Sequence, residues 1–321
     1  MTRSRLAPGT GIVTAPGAGP VLRTSGGEFL RIDTGGVDAE TLVRRLMGEK
    51  APDEGAQAAE LALLVEAFEE GGHAVSGPPR APLAGRTVHV LGDPVLADPV
   101  ARCAEAEGAE VHETTPEHVA ELARATSDPS AEGRVAVVWC LDSPVPEGLW
   151  DTADRLPGQG IAWLRCHREG AHVWTEPPAS APGDVTARHV RLRRLAATAA
   201  HRELAAYWAG HRTPDTGPHP TEASAALIAG LLTADLIAWA EGEAGAAIEP
   251  GGSAGVGAGA GTSFGPSGPT GLPPRRRLRR IDLRDLTVSE HPVLPVPDVA
   301  PLPAPAPVTA RAEAVTAKAR R

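Results

Sequence analysis

Apolar and polar positions follow two different rhythms along this chain. After a Gly/Pro-rich start come two short apolar runs, PVLRTSG (20–26) and GEFLRIDTG (27–35). They meet at Ser25-Gly26-Gly27, a turn signal that predicts a β-hairpin. Asp38 then stands where an N-cap belongs, and Leu42, Val43, Leu46 and Met47 fall on one helical face. The stretch 51–72 predicts one helix or two: Leu61, Leu64, Val65 and Phe68 recur at helical spacing, and Gly71-Gly72 ends the run. A hairpin followed by about three helices predicts a compact winged-helix module over residues 11–76. SGPPRAPLAG (76–85) predicts a proline-rich hinge, placed at 77–85.

Beyond the hinge, strand-like and helix-like segments alternate. RTVHVLG, AEVHET and GRVAVVWCLD predict strands, and DPVLADPVARCAEAEG, PEHVAELARATS and PEGLWDTADRLPGQG predict helices. IAWLRCHREGAHVWTEP predicts a strand that turns back as a hairpin. Alternation of this kind predicts a doubly wound α/β domain with a parallel sheet, spanning residues 86–300. Two long helices follow, over 186–210 and 221–242. The second is apolar around much of its circumference, so it is either buried or paired with another copy of the chain, which makes a homodimer one option. Thr221 predicts its N-cap. Residues 243–274 are low-complexity and predict a flexible loop, RRIDLRDLTV predicts a last strand, and 301–321 predict a disordered Pro/Ala tail.

Composition narrows the function classes. The 321 residues suit two domains, and only 3% are aromatic, so the cores must be aliphatic. A net charge of -9 argues against nucleic-acid binding. So do Asp53, Glu54, Glu60, Glu66, Glu69 and Glu70, which put anions where a DNA-reading helix needs cations. The Arg-rich run at 275–280 admits an acidic-partner or nucleic-acid patch, but a cationic strand edge that discourages aggregation, or a protein docking role, is preferred. No signal-peptide pattern and no uncharged membrane span occurs, so a cytoplasmic location is expected, without membrane contact. Cys103, Cys140 and Cys166 are widely spaced and read as structural thiols.

Candidate chemistry is sparse. The first strand–helix turn, LGDPVLADP, keeps only Gly92 of a phosphate-cradling loop. Asp93 and Asp98 oppose phosphate, and Pro94 and Pro99 remove amide donors, so nucleotide binding is not expected. Cys166 and His167 point to opposite faces of one strand, and Asp142-Ser143 alone specify no reaction, so no catalytic residue is assigned. The strand phrase EFLRID instead offers an edge that a peptide could join.

The order of elements resembles ThiF-type (ubiquitin-activating-enzyme-like) partner proteins of thiazole- and oxazole-forming peptide biosynthesis. Those proteins carry an N-terminal RiPP recognition element, a winged helix that binds a precursor's leader peptide, and act beside a YcaO-type cyclodehydratase. They also carry two CxxC pairs. Here Thr186 and His189, in PGDVTARHVRLRR, stand at the first pair, and Asp298 and Pro301, after HPVLPVP, at the second. The resemblance therefore implies a degenerate domain without structural zinc, since three of those four residues cannot replace thiolate or imidazole. His189 is expected to be an exposed helix residue. The implied function is a non-catalytic scaffold that presents a leader-bearing precursor to the cyclodehydratase. The peptide-binding residues expected are Phe29, Leu30, Arg31 and Ile32 on the strand, with Leu61, Leu64, Val65 and Phe68 on the helix. A nucleotide-dependent adenylyltransferase and a winged-helix regulator are the alternatives.

Overall fold

The computed structural model describes residues 4–15, 19–49, 56–77, 81–125, 133–246 and 272–296, and the chain divides into two compact units, residues 1–80 and 81–321. In the first unit, β2 (Gly11–Thr14), β3 (Pro20–Arg23) and β4 (Phe29–Arg31) form an antiparallel sheet in the order β2-β3-β4. The β3–β4 hairpin is the expected one. Its tight connection needs Gly27 at φ 87°, a left-handed backbone that glycine adopts without penalty. Helix α1 (Ala39–Leu46) starts where Asp38 accepts from the Thr41 N–H at 3.0 Å. It buries Leu42 and Leu46, but Met47 is exposed, because the helix has already stopped when the chain reaches Gly48 at φ 83°. Helix α2 (Ala56–Glu70) buries Leu61, Val65 and Phe68 in one cluster with Leu22, Val37, Leu42, Leu46 and Ala74. It ends at Gly72, and the His73 N–H returns to the Phe68 carbonyl.

Three strands of this unit, β2 among them, escaped the sequence pattern. β1 (Ser4–Leu6) pairs antiparallel with β5 (Ala74–Ser76), each too short for alternation to register. Among the described residues this unit thus holds two helices and five strands, fewer helices than expected. Residues 78–80 of the expected hinge lie outside the described residues. Leu83 belongs to the core of the second unit, with its N–H on the Glu107 carbonyl at 2.9 Å.

The second unit is built on a seven-stranded mixed sheet. It contains β6 (Thr87–Gly92), β7 (Glu110–Glu113), β8 (Val135–Leu141), β9 (Ala162–Glu169), β10 (His172–Thr175), β11 (Arg277–Asp282) and β12 (Val288–Pro292), in the order β12-β11-β10-β9-β8-β6-β7. β7, β6, β8 and β9 run parallel, and β10 to β12 are antiparallel. The sheet is parallel over β7, β6, β8 and β9, as the alternation predicts, and turns antiparallel at the expected β9–β10 hairpin. The last predicted strand is two, because DLRDLT forms a turn between β11 and β12 with Leu286 at φ 60°.

Strand alternation sorts the core onto two faces. Val88, Val90, Val138, Cys140, Leu164 and Cys166 meet α3 (Pro94–Ala106) and α7 (Glu222–Ala246) on one face. Val137, Trp139 and Trp163 meet Val119 of α4 (Pro116–Leu122) and the loop around Trp150 on the other. The helix expected at 146–160 is turns and a 3₁₀ segment, Ala153–Gln159, with Pro157 inside it. The long helix expected at 186–210 is broken into α5 (Ala187–Ala197) and α6 (His201–Trp208).

α7 alone among the described helices is long and apolar enough to cross a membrane. Much of its apolar surface, including Ile228, Leu232 and Leu236, is buried in the core formed with the sheet and α3. Its buried Asp235 is held bidentately by Arg279 (2.6 and 2.9 Å) and also by Arg277 (3.1 Å). This corrects the reading of the Arg-rich run. β11 lies between two strands, and its arginines neutralise a buried carboxylate instead of guarding an edge. Cys140 and Cys166 are buried and face each other across β8 and β9, while Cys103 is half-buried. A hydrogen bond with Cys166, reinforced by burial, pushes the Cys140 thiol well above the usual range, as expected of an inert structural thiol. Residues 247–271 of the expected loop, Asp298, Pro301 and the tail 301–321 lie outside the described residues.

Candidate functional site

The sheet edge at β4 is built by the ladder to β3. Thr24 donates to the Glu28 carbonyl and Ile32 donates to the Pro20 carbonyl. Leu30 faces Leu22 and shares their parity, so the N–H and C=O of Glu28, Leu30 and Ile32 turn inward. Those of Phe29 and Arg31 point outward. No other strand pairs with β4 among the described residues.

The side chains complete the edge. Phe29 is 62% exposed, Leu30 is 43% exposed and Arg31 is exposed. Phe29 and Arg31 share one face, and Leu30 and Ile32 the other. Ile32 packs on the cluster that holds Leu61 and Val65, which identifies the Leu30–Ile32 face as the one turned toward the core. The loop after β4 is clamped to α2: Asp33 accepts from the Gly35 N–H at 3.1 Å, and Glu60 accepts from the Gly36 N–H at 2.8 Å. A Cβ at Gly35 would fall 2.3 Å from Glu60 Oε1, so glycine is what allows that carboxylate so close to the backbone. Of the eight residues expected at the site, Phe29, Leu30 and Arg31 are exposed and Ile32 and Leu64 half-buried. Leu61, Val65 and Phe68 are buried, where they support the edge without reaching solvent.

The strand–helix turn that would cradle a phosphate is organised differently. Gly92 has φ 118°, and a Cβ there would lie 1.8 Å from the Cys140 carbonyl oxygen. This glycine serves the close approach of β6 to β8. The Asp93 N–H is bonded to that same carbonyl at 2.8 Å, and Pro94 has no N–H to offer. The Asp93 carboxylate crosses the turn and accepts from the Asp142 N–H at 2.6 Å. Asp142 is itself engaged: it pairs with the buried Arg168 guanidinium and with His219 Nδ1 (2.6 Å), and Arg168 also holds Asp215 at 2.5 Å. Burial would raise the Asp215 carboxyl, but the Gly217 N–H and Arg168 hold it below the usual range.

The first CxxC-like position has a further role. Thr186 caps α5 by accepting from the His189 N–H at 3.4 Å, and His189 Nδ1 accepts from the Thr186 N–H at 3.3 Å. Asp154 accepts from the two remaining first-turn amides, Ala187 and Arg188, at 3.0 Å each. All three leading N–H groups are thus satisfied by side chains. His189 is a half-buried capping residue, which corrects the exposed position expected for it. Thr221 and Ser224 form a similar reciprocal pair at the start of α7.

One polar cluster was missed in the sequence. Arg165, His167 and Glu169 lie two apart on β9 and face the side of Trp150. Glu176 accepts from Arg165 Nε at 2.7 Å. Glu169 accepts from Arg194 (3.0 Å), Trp208 Nε1 (2.7 Å) and His167 Nε2 (3.2 Å). Burial opposes charge on Glu169, but His167 and Arg194 outweigh it and hold the carboxyl well below the usual range. The signal was polar alternation inside a strand otherwise read as buried.

The chain is similar in fold to the heterocyclase TruD (TM-score 0.59, 16% identity, covering 92% of this chain and 42% of that one). It is similar also to a heterocyclase in complex with substrate and cofactor (TM-score 0.59, 10% identity, covering 92% and 39%). The chain spans about two fifths of the length of either. No protein-family model matches the chain, and no curated protein matches it in sequence. The shared architecture is the mixed α/β one expected from the alternation of elements.

Proposed function

We propose that this protein is a leader-peptide-binding scaffold. Its amino-terminal unit takes up the leader of a ribosomally made precursor peptide. The chain, without catalysing the reaction, recruits that precursor to a separate YcaO-type cyclodehydratase for thiazoline or oxazoline formation. The outward-facing backbone of Phe29 and Arg31 carries this reading. An extended leader adds a strand there, and each main-chain bond contributes about 0.5–1.5 kcal/mol net. Sequence selectivity comes from leader side chains that alternate between the Phe29–Arg31 face and the apolar side of Leu30, Ile32 and Leu64. Among the described residues β2 also has an unpaired edge, but the Glu60 clamp ties the loop after β4, and not β2, to α2. Tethering the precursor raises its local concentration at the enzyme. The likeness in fold to heterocyclases supports the association with azoline chemistry. The occupied amides and carboxylates at the Gly92–Asp93 turn support a role without nucleotide.

The test is fluorescence polarisation of labelled leader peptides encoded beside this gene, titrated with the full chain and with Leu30→Asp. Saturable binding that weakens at least tenfold in the variant is expected. Absence of binding to every such leader would refute the proposal.

A further inference from the structure

Between β9, α5, α6 and the loop around Trp150 lies a cavity of about 400 Å³, its open mouth included. Its apolar walls are Val145, Trp150, Ala187, Val190 and Trp208. Two buried polar atoms in its lining have no hydrogen-bond partner: Trp150 Nε1 and His167 Nδ1. Both residues are 3% exposed, and their rings stand 5.6 Å apart, edge to face. An indole N–H can only donate, so burying it without an acceptor costs about 1–3 kcal/mol. His167 Nε2 faces the Glu169 carboxylate at 3.2 Å and its Nδ1 lies 3.7 Å from Glu176 Oε1, so the imidazole stands between two acids and Trp150 Nε1 is the donor left without an acceptor.

The charges around the cavity sort into spent and unspent. Glu169 is neutralised by Arg194, and Glu176 by Arg165. Among the described residues, Arg188 and Arg191 have no carboxylate partner. Arg191 stacks over the Trp208 ring at 5.0 Å, which holds its guanidinium at the cavity wall. Asp151 is the single unpaired acid in the lining, so cations are in excess. The cavity also sits beside the carboxyl ends of the parallel strands β8 and β9, where open α/β sheets place ligands.

We infer that this cavity binds a small organic carboxylate. One carboxylate oxygen accepts the Trp150 N–H, the guanidinium of Arg191 with Arg188 balances the charge, and a short apolar body lies against Val145, Val190 and Trp208. The inference is independent of peptide capture at β4 and concerns a different unit.

Indole N–H resonances of the ¹⁵N-tryptophan-labelled full chain report on it directly, with Trp150→Phe used only to assign the signal. Titration with acetate and propionate should move the Trp150 resonance saturably, propionate at the lower concentration. Acetamide and propionamide, which keep the shape and lose the charge, should leave it in place. Arg191→Gln should raise the half-saturating concentration at least tenfold while leaving the Trp150 resonance of the free protein in place; the Trp208 signal, under the Arg191 guanidinium, is expected to move. An unmoved Trp150 signal with both acids means that the cavity holds only water and overturns the inference. Equal movement by the amides, or an unchanged midpoint in Arg191→Gln, overturns it as well.

Discussion

The edge of β4 and the turn after β6 are both places where a ligand could meet main chain, and they differ in what remains unsatisfied. At β4, the N–H and C=O of Phe29 and Arg31 face outward beside exposed apolar side chains. At the β6 turn, the Asp93 and Asp142 amides are bonded internally, Pro94 lacks one, and Asp142 is locked to Arg168 and His219. An unpaired backbone group asks for a partner, whereas a consumed one only holds the fold together. By that criterion the small unit is proposed as the binding part and the large unit as a framework, the cavity beside Trp150 apart.

The sharpest way to probe this division is Asp235→Ala. Leaving the Arg279 guanidinium buried without its carboxylate should lower the stability of the second unit by about 3–5 kcal/mol in urea unfolding. Leader affinity should hold under native conditions. A parallel loss of affinity would break the division. Next in size, Arg31→Pro removes an outward N–H and no ladder bond, so it should weaken leader binding about tenfold with an unchanged melting temperature. Thr186→Ala removes the N-cap of α5 and should cost about 1 kcal/mol of stability, again without effect on the leader.

The smallest effect concerns pH. Burial first, and then the neighbouring His118 and His112 imidazoles, hold His89 below the ordinary histidine range. The unfolded chain therefore binds a proton at a higher pH than the folded one. Stability should be flat above about pH 6.5 and fall as pH drops from there toward the folded value, with a slope of at most about 1.4 kcal/mol per pH unit for this proton. His89→Gln should flatten that part of the profile, whereas leader binding at neutral pH should not change.

The two units were also unequally legible in sequence. Alternation exposed β6, β8 and β9 and the α3 helix because each has a long apolar pattern, and Gly27 marked the β3–β4 turn. β1 and β5 are three residues long, too short for a period to show, and β2 lies within a Gly/Pro-rich segment. The break between α5 and α6 had no proline or glycine to announce it. At the candidate edge, sequence named β4 but could not say which of its faces turns to the core; the packing of Ile32 does so. The roles of Glu60, Arg279 and the Trp150–His167 cavity depend on residues far apart in the chain, which no local pattern carries. The Thr186–His189 pair was noticed for its spacing, but its use as a reciprocal cap became clear only from the geometry.

Amide hydrogen exchange of the full chain, with and without a bound leader, tests the central claim most directly. The account predicts strong added protection at the Phe29 and Arg31 amides, while the Leu30 amide, already in the ladder, changes little. Leader binding that leaves Phe29 and Arg31 as exchangeable as before would contradict it.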